Sequence, residues 1–287
     1  MKFVYATDLH GNHESYRGLF RIAEKEHVQN VIIGGDMMPN RFAVISNNSI
    51  FSSSYMYESV FRLENGNNLV DHGYIPIRVG RHLDVRGARA VTSSIPMDEF
   101  RSFQVEAANE LVKNVINIAS KSFELFVMPG NDDVKEVLQI LTESGAHQMH
   151  GRCIQAGDTT ITGYSFIKPS PFPLKDWEKT EDEIYHDLKK LARGFGENVI
   201  LSTHSPPYMT DLDMLHNDEH VGSTAVRKFI EQYTPSISLH GHIHDSPENS
   251  GRIMTEIGTT KAFNPGSSDS KLRALLISER KWTAINV

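Results

Sequence analysis

Polar clusters that could bind metal ions follow five apolar runs of this chain. They are Asp8-Leu9-His10, Gly35-Asp36, Gly130-Asn131, Ser202-Thr203-His204-Ser205 and Gly241-His242-Ile243-His244. Together they supply two Asp, one Asn and four His. Carboxylate and amide oxygens combined with imidazole nitrogens suit Mn, Fe, Zn or similar divalent ions. The set predicts two adjacent divalent metal ions that share one bridging carboxylate.

The apolar runs predict buried strands at residues 3–6, 31–35, 123–128, 199–202 and 237–239. Helical spacing of apolar residues follows three of them, at residues 13–25, 134–142 and 224–232. Strands that alternate with helices indicate an α/β domain. Ligand-binding residues of such sheets gather at the carboxyl ends of the strands, so the polar clusters should converge on one edge.

Paired metal ions favour one kind of chemistry. Two divalent ions about 3.5–4 Å apart can clamp both the attacking and the leaving oxygen of a phosphoryl transfer. A water held by both ions loses a proton near neutral pH and becomes the nucleophile. We therefore expect dinuclear, metal-dependent hydrolysis of a phosphate ester by a metal-bridging hydroxide. A small phosphodiester is preferred over a monoester, which makes the predicted enzyme a phosphodiesterase.

The order of these motifs resembles a known family. The pattern D-x-H, GD, GN, H and GHxH, from Asp8 to His244, is similar to the signature of the calcineurin-like metallophosphoesterases. Asn264-Pro265-Gly266-Ser267 resembles the loop that commonly follows in that family. Other segments resemble an uncharacterised prokaryotic branch related to cyclic-nucleotide phosphodiesterase-like members: Gly163-Tyr164-Ser165, Lys175-Asp176-Trp177-Glu178 and Ser205-Pro206-Pro207.

The resemblance implies both a fold and a division of the metal ligands. The fold would be a four-layer αββα sandwich of two mixed β-sheets flanked by helices. Asp36 would bridge the two ions. The first ion would be held by Asp8, His10 and His244, and the second by Asn131, His204 and His242.

The chain departs from the family pattern at one position. Many members have histidine directly after the motif Asn, where it stabilises the transferring phosphoryl group or protonates the leaving oxygen, but this chain has Gly130-Asn131-Asp132-Asp133. An ionised Asp132 would repel an anionic phosphate, and only a strongly raised pKa would let it act as a general acid. Asp132 is thus a catalytic candidate whose role stays open. Asp133 is expected to cap the helix that starts near residue 134.

The segment at about residues 40–110 does not follow the strand–helix rhythm. It begins Asn- and Ser-rich and then carries four arginines, namely Arg78, Arg81, Arg86 and Arg89. A structureless loop of this length is uncommon in a compact domain. We interpret it as a partly helical, cap-like insertion in a single metallophosphoesterase domain of residues 1–287. Because Arg presents a planar fork to phosphate oxygens, the four arginines are candidate substrate contacts, with a solvated surface as the alternative.

The C-terminal part changes character. Residues 159–163, 253–257, 272–278 and 281–287 read as short strands, and residues 278–280 as a hairpin connection. These strands predict a second, partly antiparallel sheet packed on the first.

Composition and charge narrow the setting and the partners. Hydrophobic residues make up 39% and charged residues 23% of 287, which is ordinary for a globular protein, and the net charge of −7 argues against nucleic acid as a partner. The single cysteine, Cys153, allows no internal disulfide. The sequence shows neither a secretory leader nor a stretch of about 18 apolar residues for a membrane span. We expect a cytoplasmic protein that acts on a small phosphate ester and is able to form a homo-oligomer.

Alternative functions remain at this point. A metal-binding scaffold for protein interaction could use the same fold without turnover. A phosphomonoesterase or a nuclease would share the metal site, although the negative charge weakens the case for a nuclease. All the expected ligand positions are filled, which favours an enzyme.

Overall fold

A computed structural model describes residues 1–47, 49–55, 59–64, 66–268, 271–278 and 281–286. In these residues the strands are β1 (Phe3–Ala6), β2 (Asn30–Ile33), β3 (Arg41–Ile45), β4 (Ile50–Ser54), β5 (Val60–Leu63), β6 (Tyr74–Arg78), β7 (Glu124–Val127), β8 (His147–Gln148), β9 (Cys153–Ala156), β10 (Thr159–Tyr164), β11 (Asn198–Thr203), β12 (Ile237–Leu239), β13 (Met254–Ile257), β14 (Thr260–Phe263), β15 (Arg273–Ser278) and β16 (Lys281–Asn286). The α-helices are α1 (His13–Lys25), α2 (Val85–Ser93), α3 (Met97–Leu111), α4 (Asn117–Ala119), α5 (Val137–Thr142), α6 (Glu181–Leu191), α7 (Thr224–Tyr233) and α8 (Ser246–Ser250). A π-helical turn joins α3 to α4, and a 3-10 turn extends α6.

The first sheet carries the loops of three predicted ligand motifs. Its strand order is β16-β15-β1-β2-β7-β8. The strands β1, β2, β7 and β8 run parallel, whereas β15 and β16 join antiparallel at one edge. Because parallel strands end on the same side of a sheet, the loops bearing Asp8, Asp36 and Asn131 lie side by side.

The second sheet carries the histidine motifs. Its order is β13-β14-β12-β11-β10-β9, and β10, β11, β12 and β14 run parallel. At the two edges of the sheet, β9 pairs antiparallel with β10 and β13 pairs antiparallel with β14. His204 directly follows β11, and the motif with His242 and His244 follows β12, so the sheet presents these side chains at one end.

Alternating side chains build three hydrophobic cores. Successive residues of a strand point to opposite faces, so Phe3 and Tyr5 of β1 pack toward the second sheet while Val4 and Ala6 pack toward helices. The core between the sheets includes Ile200 of β11. A third core lies under α6 and α7 on the outer face of the second sheet. Helix, sheet, sheet and helix are therefore stacked in that order, which confirms the predicted αββα sandwich.

The predicted grouping of the C-terminal strands is wrong in one respect. β10, β13 and β14 lie in the second sheet, but β15 and β16 return to the first sheet. β15 pairs with β1 in the register Val4 to Leu276 and Tyr5 to Leu275. It thereby covers an edge of β1 that would otherwise expose unpaired backbone groups. The tip of the predicted hairpin, residues 279 and 280, lies outside the described residues.

The insertion contains a sheet that the sequence did not predict. Strands β3 to β6 form a four-stranded sheet in the order β5-β4-β3-β6, followed by α2 and α3. Strand β4 begins with Ile50 and Phe51 but ends in three serines, Ser52, Ser53 and Ser54, which are also buried. The hydroxyl of Ser53 lies 2.7 Å from that of Thr92 in α2, so the burial is offset by a hydrogen bond.

Aromatic rings form the interior of the insertion, and this interior is continuous with the core beside the first sheet. Phe42 of β3 contacts Tyr55, Phe100 and Phe103, and the rings of Tyr55 and Phe100 stack at 4.1 Å. Phe42 and Phe100 belong to the same continuous core as Val4. This continuity supports the prediction of a single domain, which stays a prediction. Within the described part of the chain, no helix combines the length and apolarity that a membrane crossing requires.

Replacing Phe100 with Ala should lower the free energy of unfolding by about 3–5 kcal/mol, because a fully buried aromatic side chain leaves a cavity. Denaturant unfolding of the chelator-treated protein should show one transition at a lower midpoint by both fluorescence and circular dichroism. The control is Phe61→Ala, since Phe61 is 43% exposed and should change stability little. Two separate transitions, with only one of them moved by Phe100→Ala, would contradict the single domain.

Candidate metal centre

The loops that carry the predicted ligands are bent through left-handed backbone. Asp8, His10, Asp36 and His242 have φ of 54°, 43°, 48° and 66°. Such residues persist only where their surroundings hold them. The first two loops are tied together by backbone hydrogen bonds from Asp8 N to Gly35 O (3.0 Å) and from His10 N to Asp36 O (2.9 Å). The bend turns carboxylate and imidazole groups of both loops toward one point.

Two motif glycines permit this close approach. A Cβ atom on Gly130 would overlap the carboxylate of Asp36. A Cβ atom on Gly241 would overlap the carboxylate of Asp8 and the hydroxyl of Thr7. The Gly of the Gly-Asn and Gly-His motifs is therefore required because backbone and carboxylate touch there.

One group of potential ligands centres on Asp8. Ligand atoms of Asp8, His10, Asp36 and His244 all lie within 4.8 Å of one another. His244 Nε2 is 3.2 Å from Asp8 Oδ1 and 3.3 Å from His10 Nε2. This group could hold a metal ion.

A second group adjoins the first through Asp36. His204 Nε2 lies 3.3 Å from Asp36 Oδ2 and 2.9 Å from Asn131 Oδ1. The ring of His242 lies 5.4 Å from the ring of His204, and its backbone N–H donates to the carboxylate of Asp8. The structure thus brings all the predicted ligand residues into one cluster, with Asp36 between its two halves.

Backbone contacts orient the histidines. The ring of His204 is buried, and its Nδ1 lies 3.1 Å from the carbonyl oxygen of Gly34. Because that oxygen can only accept, Nδ1 carries the proton, and Nε2 faces the carboxylates. A backbone carbonyl that fixes the ring in this way is the usual companion of a metal-binding histidine.

The electrostatics of the cluster are those of buried acids beside imidazoles. Burial raises the pKa of Asp36 to about 8 and outweighs the opposing effect of His204, and the nearby Asp132 and Asp8 carboxylates raise this pKa further. Burial opposes a charge on His204 and His244, but the carboxylates beside them raise the pKa of the two imidazoles to about 10 and about 9. Cations are therefore favoured at this point.

The residues present fit a divalent metal ion. Among the described residues, Asp36 Oδ2 and His10 Nδ1 are buried and lack a hydrogen-bond partner. Buried polar atoms without partners are costly, and a cation held between the carboxylates would satisfy Asp36 Oδ2. The oxygen and imidazole donors match the preferences of Mn, Fe and Zn.

Asp132 and Asp133 are buried below the cluster. Asp132 is 0% exposed, its carboxylate accepts from the side-chain amides of Asn40 and Asn131, and its own N–H donates to Asp36 Oδ1 at 2.8 Å. Burial raises its pKa. The expectation that Asp133 caps a helix is wrong, because α5 begins later, at Val137. Its carboxylate instead accepts backbone N–H groups of Gly130, Met37 and Met38, which ties the Asn131 loop to the Asp36 loop.

The four predicted arginines lie farther along the insertion. Arg78, Arg81 and Arg86 are exposed, and Arg89 donates to the carbonyl oxygen of Ser54 at 2.9 Å. None of the four is among the described residues that line the cavity against Asp8 and His10. Their substrate role stays a prediction.

Sequence reasoning missed residues that reach the cluster from distant positions. Asn40 contacts Asp132 across 92 positions, and Gln104 of α3 donates to its backbone carbonyl. Arg41 lines the cavity beside His10. Lys168 lies 5.9 Å from the ring centre of Tyr208. The pKa of His242 is lowered to about 3, mainly by burial and the charge of His204, and the charge of Lys168 also lowers it. No spacing pattern marks these residues, because their partners are brought near only by folding.

Comparison with known proteins gives a consistent result. The sequence profile described as Calcineurin-like phosphoesterase matches residues 1–246. The Methanocaldococcus jannaschii protein named "Uncharacterized protein MJ1162" is 34% identical over 150 residues, which is 51% of this chain but only 65% of that relative. The crystal structure of TT1561 of Thermus thermophilus superposes with a TM-score of 0.60 at 13% identity, covering 99% of this chain and 98% of that one. Another crystal structure superposes at 0.67 and 14% identity, covering 99% and 98%.

The structural likenesses bear on the fold alone, whereas the profile covers every motif from Asp8 to His244. The chain belongs to the calcineurin-like phosphoesterase family.

Proposed function

We propose that this protein is a dinuclear metal-dependent phosphoesterase that acts on a small phosphodiester. The observation that carries the proposal is the convergence of two carboxylates, one amide and four imidazoles around a buried Asp36 oxygen that accepts no hydrogen bond from any described residue. In the proposed assignment Asp36 would serve both ions. Asp8, His10 and His244 would hold one of them, and Asn131, His204 and His242 would hold the other.

The bound ions would supply Lewis acidity to the phosphoryl group and activate water for attack. The protein positions the ligands before the ions bind. The carbonyl of Gly34 holds the ring of His204, and the N–H of His242 holds the carboxylate of Asp8. Such preorganisation avoids reorganisation during the reaction.

A diester is favoured by the charge already in the pocket. Asp8, Asp36 and Asp132 are all at most 1% exposed and close together. The ions would neutralise Asp8 and Asp36, but Asp132 is not an assigned ligand, and its carboxylate would repel a monoester dianion more than a diester, which carries one negative charge. Asp132 also offers no proton in this arrangement, because both of its oxygens accept from amides.

Two cations, Arg41 and Lys168, are the proposed substrate contacts. Arg41 lies in the cavity with Asp8 and His10. Lys168 acts on His242 and stands beside Tyr208, which follows the His204 motif. A phosphate held over the ions would be attracted by both.

Replacing Asp36 with Ala should abolish binding of a pair of ions and lower kcat for a chromogenic phosphodiester by about 1,000-fold, since loss of about 4 kcal/mol in the transition state equals three powers of ten. Metal content is measured by elemental analysis. Turnover is measured separately, with added Mn²⁺. The control is Asp187→Ala, which removes a carboxylate of α6 that pairs with Lys179. Wild-type metal content and turnover in Asp36→Ala would refute the assignment. A wild-type protein that binds two ions without hydrolysing any ester would be a scaffold.

The rate should fall steeply as the leaving group becomes a poorer acid. A positioned general acid contributes about 10²–10⁴-fold, and the buried Asp132 carboxylate is engaged by two amides. The measurement is kcat/KM over phenyl phosphodiesters of rising leaving-group pKa, with chemistry shown to be rate-limiting. A flat dependence would mean that another acid donates the proton.

Lys168→Ala should raise KM for the diester about tenfold, with metal content unchanged, since contacts between charged groups contribute about 1.5–3 kcal/mol at most. The comparison variant replaces Arg78, Arg81, Arg86 and Arg89 with Ala. If that variant raises KM and Lys168→Ala does not, the insertion arginines and not Lys168 contact the substrate.

A further inference from the structure

The orientation of the Asn131 amide decides whether this residue can bind a metal ion. An Asn side chain ends in an oxygen and a nitrogen of similar size, and only the oxygen is a ligand. In this structure Oδ1 of Asn131 points to the cluster, 2.9 Å from His204 Nε2. Its nitrogen points away and donates to Asp132 Oδ1 at 2.6 Å. The neighbouring carboxylate therefore accounts for the outward position of the nitrogen.

Asp132 is held on its other side by the insertion. The Nδ2 of Asn40, the residue before β3, donates to Asp132 Oδ2. Gln104 of α3 donates to the backbone carbonyls of Asp132 (2.7 Å) and Pro39 (3.0 Å), and accepts from Val134 N (2.7 Å). The side chains of Asn40, Gln104 and Asp132 are at most 2% exposed. A buried and bonded network of this kind rigidifies its members.

We propose that Asp132 and Asn40 are positioning residues that orient the Asn131 amide with its oxygen toward the metal centre. The inference deepens the proposed function and rests on it, because the amide matters only if Asn131 is a ligand. It assigns a task to the position where the chain departs from its family. It also gives the start of the insertion a task at the centre, since Asn40 comes from there.

The geometry separates this role from acid catalysis. A general acid must present a proton to the leaving group, within about 2.6–3.2 Å or through one water. Asp132 is 0% exposed and both of its oxygens are engaged by amides. The Asp132 carboxylate accepts hydrogen bonds from Asn40 and Asn131. It therefore holds the Asn131 nitrogen and does not itself contact the substrate.

Two substitutions at the same position test the role. In Asp132→Asn the new side chain keeps an oxygen for the Asn131 nitrogen, and Asn40 can turn its own amide, whose Oδ1 has no partner among the described residues. In Asp132→Leu no acceptor remains, so the Asn131 amide is free to turn its nitrogen inward. Losses of companion residues of this kind cost about 10–100-fold in metal affinity.

The measurement is calorimetric titration of chelator-treated protein with Mn²⁺ alone. Asp132→Leu should weaken one of two Mn²⁺ sites about 10–100-fold, with a smaller loss in Asp132→Asn. Asn40→Leu, which leaves Asp132 in place, should weaken the same site. The control is Asp187→Leu, which removes a carboxylate from an ion pair on α6 and should leave both sites as in the wild type. Thermal unfolding checks that each variant is folded, and Asn40→Leu carries the test if Asp132→Leu is not.

The outcomes are distinct. Wild-type Mn²⁺ affinity in Asp132→Leu and Asn40→Leu, with two sites present, overturns the positioning role while the proposed function stands. Equal loss of turnover in Asp132→Asn and Asp132→Leu with unchanged Mn²⁺ affinity identifies Asp132 as an acid and also overturns it. A wild-type protein that binds no Mn²⁺, Fe²⁺ or Zn²⁺ overturns the proposed function itself. A graded loss of one Mn²⁺ site, larger in Asp132→Leu than in Asp132→Asn, supports the proposal.

Discussion

The burial of several carboxylates in one small volume is the constraint on which this structure depends. Asp8, Asp36 and Asp132 are at most 1% exposed, and an uncompensated buried charge would cost several kcal/mol or more. Imidazoles and backbone N–H groups offset part of that cost. A divalent cation would offset the remainder. The left-handed turns and the motif glycines follow from the same need, because they let backbone and carboxylates approach closely.

The two sheets supply different parts of this pocket. The first sheet contributes Asp8, Asp36 and Asn131 from the loops that follow its parallel strands β1, β2 and β7. The second sheet contributes His204, His242 and His244 from the ends of β11 and β12. The interdigitated core between the sheets sets the distance at which these groups meet. Any shift of one sheet against the other would separate oxygen donors from imidazoles, so the packing of the sandwich and the chemistry of the site are coupled.

The insertion is connected to the pocket through polar contacts. Asn40 and Gln104 contact Asp132, and Trp177 donates its indole N–H to the carbonyl of Asp133 at 2.7 Å. Arg101 of α3 pairs with Asp176 at 2.5 Å, which holds the loop that carries Trp177. The loop after β7 is thus held by hydrogen bonds from the insertion and from Trp177. This arrangement gives the inserted segment a structural task at the centre in addition to any contact with substrate.

The sequence by itself predicted the fold class and the candidate ligands, because each candidate follows a short apolar run typical of a buried strand, and parallel strands end at one edge. Only the tertiary structure decided the partners. The serine end of β4 gave no strand signal, because its serines are polar and Ser53 is buried with a hydroxyl hydrogen bond to Thr92 of α2. β15 pairs with β1 and thereby covers a strand edge whose backbone groups would otherwise be unpaired. Asp132 and Asp133 look like helix caps or acids in sequence, but Asn40 and the backbone of Met37 and Met38 engage them across more than 90 positions. Local patterns cannot encode contacts that folding alone creates.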